Sequence, residues 1–552
     1  MPFQLSPSVE VQERDFTTTV PAVATSIGGI VGQFSWGPVG DIRSVHSEND
    51  LRNRFYEPNN SFYRDYFVAA NFLSYSNHLK VVRVVVEPEL NSGTFESPSG
   101  QNAAFNATDD STGTFVKHED HFEANLTTFE SAEFKFIARA PGKRGNDIKV
   151  EVADETSFAS SSPEWAYVDY FEYAPDTDEL AVAVLLDGVV EETFVVSTVS
   201  GTKDYRGKNK YIEDVLQKNS TLVWAVGSTI ESEVNASGWS GTASYSLSGG
   251  ADGDAVDTGN RQTGWDEFSD SLTVDVNLLM VGAAGSDAAK YALQNVAEVR
   301  KDCVVFISPQ QDSVVNSSTA VEDLITDRNL YPSSSYGFFD GNYKYQYDRY
   351  NDKHRWIPLN GDMAGLEART DDSHDPWWAS AGYNRGHVKS VTRLAFNPNL
   401  AKRDRLYKNN INPVIRESGE GTVLLGQKTM QTKPSAFDRL NVRRLFIVVE
   451  KAIANMAKYT VLFEFNDNIT RQNFINAVEP YLRNVAGRRG IERFQVVCDE
   501  SNNTPYVINN NGFVGDIYID PTNVAEFIKL NFIAVKNGVD FEEVIANNTE
   551  DQ

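Results

Sequence analysis

A chain of 552 residues with 41% hydrophobic and 11% aromatic side chains has the material for three or more packed domains, and no run of eighteen apolar residues is present to cross a bilayer. Its formal charge of −27 argues against nucleic acid as the main partner, because a polyanion requires a clustered basic surface. Cys303 and Cys498 each sit inside an apolar run, so buried inert thiols are expected and a disulfide framework is excluded.

The charge is unevenly spread. Residues 101–270 hold 31 acidic and 12 basic side chains, a net of −19, whereas residues 383–460 hold 5 acidic and 15 basic, a net of +10. Either the acidic part faces solvent while the basic part meets acidic neighbours, or the two pair within the chain. Met1 to Glu13 lacks the basic start, apolar centre and cleavage site of a secretory signal, so assembly in the cytoplasm is expected.

In chain order, Ser8 to Glu13 alternates apolar and polar residues and leads into Thr17–Pro21, which reads as a short strand on a polar leash. Thr25 to Phe34 reads as a strand whose glycines permit close approach, and Gly37 to Gly40 as a turn. Ser47, with Asp50 three positions on, signals a helix start. A helix from about Phe62 to Ser74 then leads into a strand run from Leu79 to Val86. Residues 88–131 are poor in aliphatic side chains and suggest a small peripheral insertion. Residues 132–250 give mostly strands, among them Phe134–Ala138 and Leu180–Leu186, and carry most of the acidic excess. A strand from Asn277, a helix from Ala288 to Arg300 and a strand from Val304 form a βαβ-like return, so an α/β sheet resumes after the β-rich insert.

Aromatic strands are expected on either side of Tyr350–Lys353. The clearest helix is Val442 to Lys458: Val442, Leu445, Phe446, Val449, Ile453 and Met456 fall on one face, and Arg444, Lys451 and Lys458 on the other. A second helix, Thr470 to Val485, carries Pro480, which should kink it, and ends near Arg483, Arg488 and Arg489. The chain closes with a strand from Phe527, a turn at Asn537–Gly538 and a strand from Val539. The fold class expected is multidomain α/β: α/β core domains, a β-rich acidic insertion, and extended N- and C-terminal strand arms.

Catalytic patterns are missing. Gly238-Trp-Ser240-Gly has the wrong spacing for a nucleophile elbow and no helix after it. His118 and His121 are three apart where a helical zinc site wants four, and a solvated polar loop is the expectation there. Gly249-Gly-Ala-Asp-Gly-Asp is acidic where a phosphate loop must not be, and lacks the ligand spacing of a calcium loop.

Several stretches resemble the tail sheath of contractile phages, most closely the T-even type. They are Tyr343-Lys-Tyr-Gln-Tyr-Asp, Arg355-Trp-Ile-Pro-Leu-Asn-Gly-Asp, the run from Asp375-Pro-Trp-Trp to Gly386, Ile411-Asn-Pro and Asn441-Val-Arg-Arg-Leu-Phe. Nearer the start, Thr25 to Gly32, Trp36-Gly-Pro-Val and Val81-Val-Arg-Val-Val match as well. Residues 88–131 depart from the pattern by being shorter.

The resemblance implies a division into 1–22 as N-terminal arm, 23–87 plus 251–345 as a subtilisin-like α/β middle domain, 88–131 as insertion, 132–250 as outer domain, 346–525 as C-terminal inner core, and 526–552 as C-terminal arm. It implies hexameric rings stacked around a tail tube, with baseplate and tail terminator proteins as further partners, no cofactor, no metal, no nucleic acid and no direct membrane insertion. Neighbours would be linked by arm strands carrying Val9, Val11, Phe527, Leu530, Phe532, Val535, Val539 and Phe541. Arg444, Lys451, Lys458, Arg483, Arg488 and Arg489 are candidates to face an acidic tube, and pairing within or between sheath subunits is the other reading. The rival classes are a subtilisin-like hydrolase and a non-contractile shell or surface-lattice protein.

Overall fold

Short runs rich in β-branched and aliphatic residues form a six-stranded sheet in the order Gly337–Phe339, Val304–Ile307, Leu278–Met280, Gly28–Gly32, Leu79–Arg83, Ile42–Val45. Neighbouring strands are parallel except Ile42–Val45, which runs antiparallel to Leu79–Arg83. The computed structural model describes residues 24–527, save 88–89, 92–93, 96–99, 107–112, 162–163, 205 and 235–240. Both faces of this sheet are covered, as parallel sheets require. Ile30, Val81, Met280 and Phe306 meet Tyr66, Phe67, Phe72 and Met363 on one side. Val31, Val82, Leu279 and Val305 meet Trp265, Ala289, Leu293 and Leu324 on the other. Gly28 is glycine because a Cβ there would lie 2.6 Å from the Phe72 ring.

The local signals act as expected. Ser47 caps Glu48–Phe55 by accepting from the Asp50 N–H at 3.1 Å. Tyr63–Leu73 is helical, and Tyr343–Asp348 pairs with Lys353–Pro358. The expected Ala288–Arg300 helix runs from Ser286 to Arg300 and contains a π-helical stretch, Ala292–Ala297.

The β-rich part is a four-stranded sheet (Val189–Ser197, Glu179–Leu186, Ile148–Asp154, Thr242–Ser246) facing a three-stranded one (Val223–Ala225, Phe134–Ala138, Ala104–Asn106) across a shared core. Described residues of the expected insertion, 88–131, contribute to this part. Ala104–Asn106 pairs with Phe134–Ala138, and Phe122 stacks on Trp224 with ring centroids 4.7 Å apart. The His118–His121 segment, expected as a polar loop, opens the helix Glu119–Ala124 because Phe122 reaches that core. Within Gly249–Asp254, Ala251–Asp252 pairs with Gly100–Gln101. Arg83, fully buried, fastens this part to the central sheet by donating to the carbonyls of Phe34, Gly37 and Pro141 at 2.6–2.9 Å.

Beyond residue 345, Ile357, Leu359, Met363 and Leu366 pack in the core of the central sheet, while Trp377 and the helices Leu440–Thr460 and Asn468–Gly487 share a further core. Pro480 sits inside the second helix without ending it. The carbonyl it leaves unpaired belongs to Asn476, on the exposed face where water can serve it. Ile491–Val497 and Asp516–Pro521 complete this unit as a two-stranded antiparallel sheet.

Candidate assembly surface

Open α/β sheets bind ligands beyond the carboxyl ends of their strands, where the strand order reverses. Here that position lies between Gly28–Gly32 and Leu278–Met280, and it is filled by the chain itself. The Asp65 carboxylate accepts from the Gln33 N–H at 3.0 Å, the Ala283 N–H at 2.7 Å and the Arg261 guanidinium at 2.7 Å. A Cβ at Gly282 would come within 2.4 Å of Asp65 Oδ1, so the glycine makes room for this internal anion. Beside it, at 2.5 Å, the Ser308 hydroxyl meets the buried Asp340 carboxyl, which burial pushes up to about 8. Lys344 pairs with Asp362 at 2.9 Å, both fully buried. These groups brace the strand ends against one another instead of presenting a nucleophile to solvent. Among the described residues no group of three or more His, Cys, Asp or Glu is arranged to hold a metal ion.

The helix Leu440–Thr460 is the centre of a different arrangement. Its N-cap residue, Arg439, grips Glu526 with Nε and Nη2 at 2.6 and 2.9 Å, and Gln427 and Tyr407 also donate to that carboxylate, at 3.1 and 2.9 Å. Burial alone would raise the Glu526 carboxyl, but these hydrogen bonds outweigh it and hold the group below its ordinary value. Five residues on, Arg444 donates to the Thr25 carbonyl at 3.1 Å and to Glu367 and Asp371 at 2.5–2.8 Å. The two places where the chain enters and leaves the described body are thus fixed by one helix start.

The basic residues read as a tube-facing stripe do not form one surface. Arg444 is 4% exposed and buried between two carboxylates. Lys451 is engaged by Asp275 at 2.5 Å. The helix is covered on its supposed outer face because it packs against the central sheet through Leu440 and Ile447 as well as against its partner helix through Leu445, Val449 and Ile453. Lys458 is exposed, with only Asn455 beside it at 3.4 Å. Arg483 is exposed and pairs with Glu479 one turn away. Arg488 pairs with Asp375 and lies over the Trp377 ring, and Arg489 lies over Trp378. Partners of the basic segment, including Asp275, Glu322, Glu367, Asp371 and Glu526, fall outside the acidic segment 101–270.

Val9, Val11, Leu530, Phe532, Val535, Val539 and Phe541 lie outside the described residues. Phe527 is described; it is exposed and follows the last strand without belonging to it. Close by in the chain, the Ile491–Val497/Asp516–Pro521 sheet has only its two members among the described residues, so the outer edge of each strand carries backbone groups without a ladder partner. Sequence reasoning missed both Glu526 and this edge. Phe494, Val496 and Val497 mark an apolar run there, but nothing in the sequence marks which edge lacks a partner among the described residues.

The central part of the chain, residues 255–430, matches the family profile described as phage tail sheath protein central domain, and residues 432–534 match the phage tail sheath C-terminal domain. The tail sheath protein of Vibrio phage KVP40 is 34% identical over 679 aligned positions, covering 98% of this chain and 99% of the relative. That of Enterobacteria phage T4 is 32% identical over 660 positions, with 98% and 99% covered. Among solved structures, the sheath tail protein of Listeria innocua shares the fold with a TM-score of 0.58 at 11% identity, covering 91% of this chain and 93% of that one. Full-length identity above 30%, two sheath profiles meeting end to end, and a strand-end crevice closed from within lead to one conclusion: the chain belongs to the tail sheath family of contractile-tailed bacteriophages, structural proteins of the virion tail.

Proposed function

We propose that this protein assembles as stacked hexameric rings around the tail tube, linked by its chain ends, and that the assembly shortens to drive the tube through the host envelope. The observation that carries the reading is the pairing of anchored exits with a two-stranded sheet: Thr25 and Glu526 are fixed to one helix start, and Ile491–Val497/Asp516–Pro521 has no further ladder partner among the described residues. Residues 1–22 and those after Glu526 act as arms that add strands to this sheet in neighbouring copies. A two-stranded sheet is marginal by itself, and added strands gain main-chain hydrogen bonds and side-chain pockets together.

Each such bond is worth about 0.5–1.5 kcal/mol net, so a strand of a few bonds contributes only a few kcal/mol and many copies must act in concert. Links through the chain ends that persist while subunit bodies rotate are what a rigid-body transition needs. Head-to-tail contacts close into a ring where the rotation between copies closes and propagate where it does not, so they can serve both within and between rings. Baseplate and terminator proteins would cap the two ends of such an array.

Deleting residues 1–22 together with 528–552 tests this. The truncated chain should keep its circular dichroism and melting behaviour yet form no tubes in electron micrographs, where the intact chain forms tubes of fixed diameter. Tubes from the truncated chain, or flat lattices from the intact one, would overturn the reading.

A further inference from the structure

The turn between the two C-terminal helices carries an unusual surface. Tyr459, Leu462, Phe463, Phe465 and Ile469 are 60–99% exposed, with Phe463 at the upper limit. Phe463 also holds a left-handed backbone, φ +66°, a region that bulky side chains avoid. A fully solvated ring on a strained backbone gains nothing within its own chain, and strain of this kind is kept where another function requires it. The turn is not loose. Asn466 donates to the Gly512 carbonyl at 2.7 Å, and Asp467 caps the next helix by accepting from the Thr470 N–H at 2.9 Å. It is a braced apolar tip.

At about 150–250 Å² per aromatic side chain, three rings and two aliphatic chains present on the order of 700 Å². That exceeds the largest apolar patch of most monomers and approaches the ~800 Å² each partner contributes to a standard interface. The only charges from Tyr459 to Ile469 are Glu464 and Asp467, so the tip is not built for a charged partner. Nearer the root of the same helix pair lies an open cavity of about 570 Å³ with an apolar wall of Trp377, Val448, Pro480, Tyr481 and Val485; the carboxylates on its rim, Asp371 and Asp375, are already paired with Arg444 and Arg488. With a rise of 1.5 Å per residue, its nearest edge at Ala452 is about 15 Å along the helix from Leu462, too far for the tip of the same copy to enter.

We infer that the 459–469 tip of one sheath subunit inserts into the Trp377–Tyr481 cavity of the next. This contact would be independent of the arms, and it rests on the proposed assembly of many copies. A protruding plug and a socket on the same subunit give a heterologous contact, which builds a ring where the rotation closes and an open array where it does not.

The test places the photo-crosslinking residue p-benzoylphenylalanine at position 463 of the full chain and irradiates assembled sheath, with peptide mapping. The expected product is a sheath dimer whose crosslinked peptide comes from 371–377, 448–452 or 480–488 of the second copy. Alongside it, Phe463→Ser/Phe465→Ser should raise the concentration needed for polymerisation at least tenfold without lowering the melting temperature, and Phe463→Trp should restore assembly. Crosslinks to another sheath segment, to the tube protein or to nothing would overturn the inference. Electron microscopy of the intact chain separates the two failures: absence of tubes counts against the assembly itself, whereas tubes with the wrong crosslink count against this contact alone.

Discussion

Arg439 and Glu526 form a two-pronged ion pair at 2.6 and 2.9 Å that fastens the end of the described chain to the start of the Leu440–Thr460 helix. With Arg444 holding Thr25 five residues further on, one helix start governs where both chain ends depart. If the ends are the links between copies, their direction is set here, and motion of this helix would reach both links at once.

Glu526→Gln should free the C-terminal exit without unfolding the body. Charge-assisted two-pronged pairs are the stronger kind, yet this one is partly exposed, so a loss of about 1 kcal/mol is expected. Hydrogen exchange in 516–527 should rise while the melting temperature moves little. The pH dependence follows from the sign of the shift. The folded carboxyl lies below its ordinary value of 4.5, so the stabilisation is present above that value and is lost as pH falls through the folded pKa. Exchange protection at the exit should therefore fall in acid, and the Gln variant should lack that step.

Arg444→Met should be far more damaging, because it leaves Glu367 and Asp371 buried without a counter-charge. Breaking a buried pair by removing one partner typically costs about 3–5 kcal/mol. Lys458→Met, at an exposed position, should change stability by less than about 0.5 kcal/mol. Urea unfolding of the two variants distinguishes them; equal, small effects would return Arg444 to the surface.

That contrast shows what the sequence could and could not convey. Periodicity identified Leu440–Thr460 and its apolar stripe, but a helix with neighbours on two sides buries part of its polar stripe as well. Arg444 finds its partners 73 and 77 positions earlier, a distance no local pattern reports. Strands such as Phe134–Ala138 and Leu180–Leu186, the Ser47 cap and the return of the α/β sheet after the β-rich part were legible because each depends on neighbouring residues. Within the expected insertion, 88–131, a segment poor in aliphatics still contributes Phe122 and Phe129 to a core assembled from elsewhere, which its own composition does not report. The anchors at Thr25 and Glu526, a carbonyl and a single carboxylate, leave no motif at all.

Asp65→Asn should remove the charge that closes the strand-end crevice and leave Arg261 without its counter-ion. A loss of about 3–5 kcal/mol in chemical denaturation is expected. An unchanged midpoint would mean that the crevice is held shut by packing alone.

Asp340 should give stability a slope in the neutral range. Its folded pKa is raised to about 8 from 3.8, so its contribution is fully present below pH 3.8 and is lost as pH rises towards 8. Asp340→Asn keeps the shape, cannot ionise, and should flatten the decline in unfolding free energy between about pH 4 and 8. A slope unchanged by this substitution would place the titration elsewhere.

Linkage through the chain ends requires that the Ile491–Val497/Asp516–Pro521 sheet, two-stranded among the described residues, gain strands once copies meet. A cryo-electron microscopy map of the assembled sheath at side-chain resolution decides it. The expected map shows this sheet widened by strands from other copies, with the Arg439–Glu526 and Arg444–Thr25 contacts intact. Edges that stay bare in the assembled tube, with residues 1–22 and 528–552 folded back on their own subunit, would contradict it.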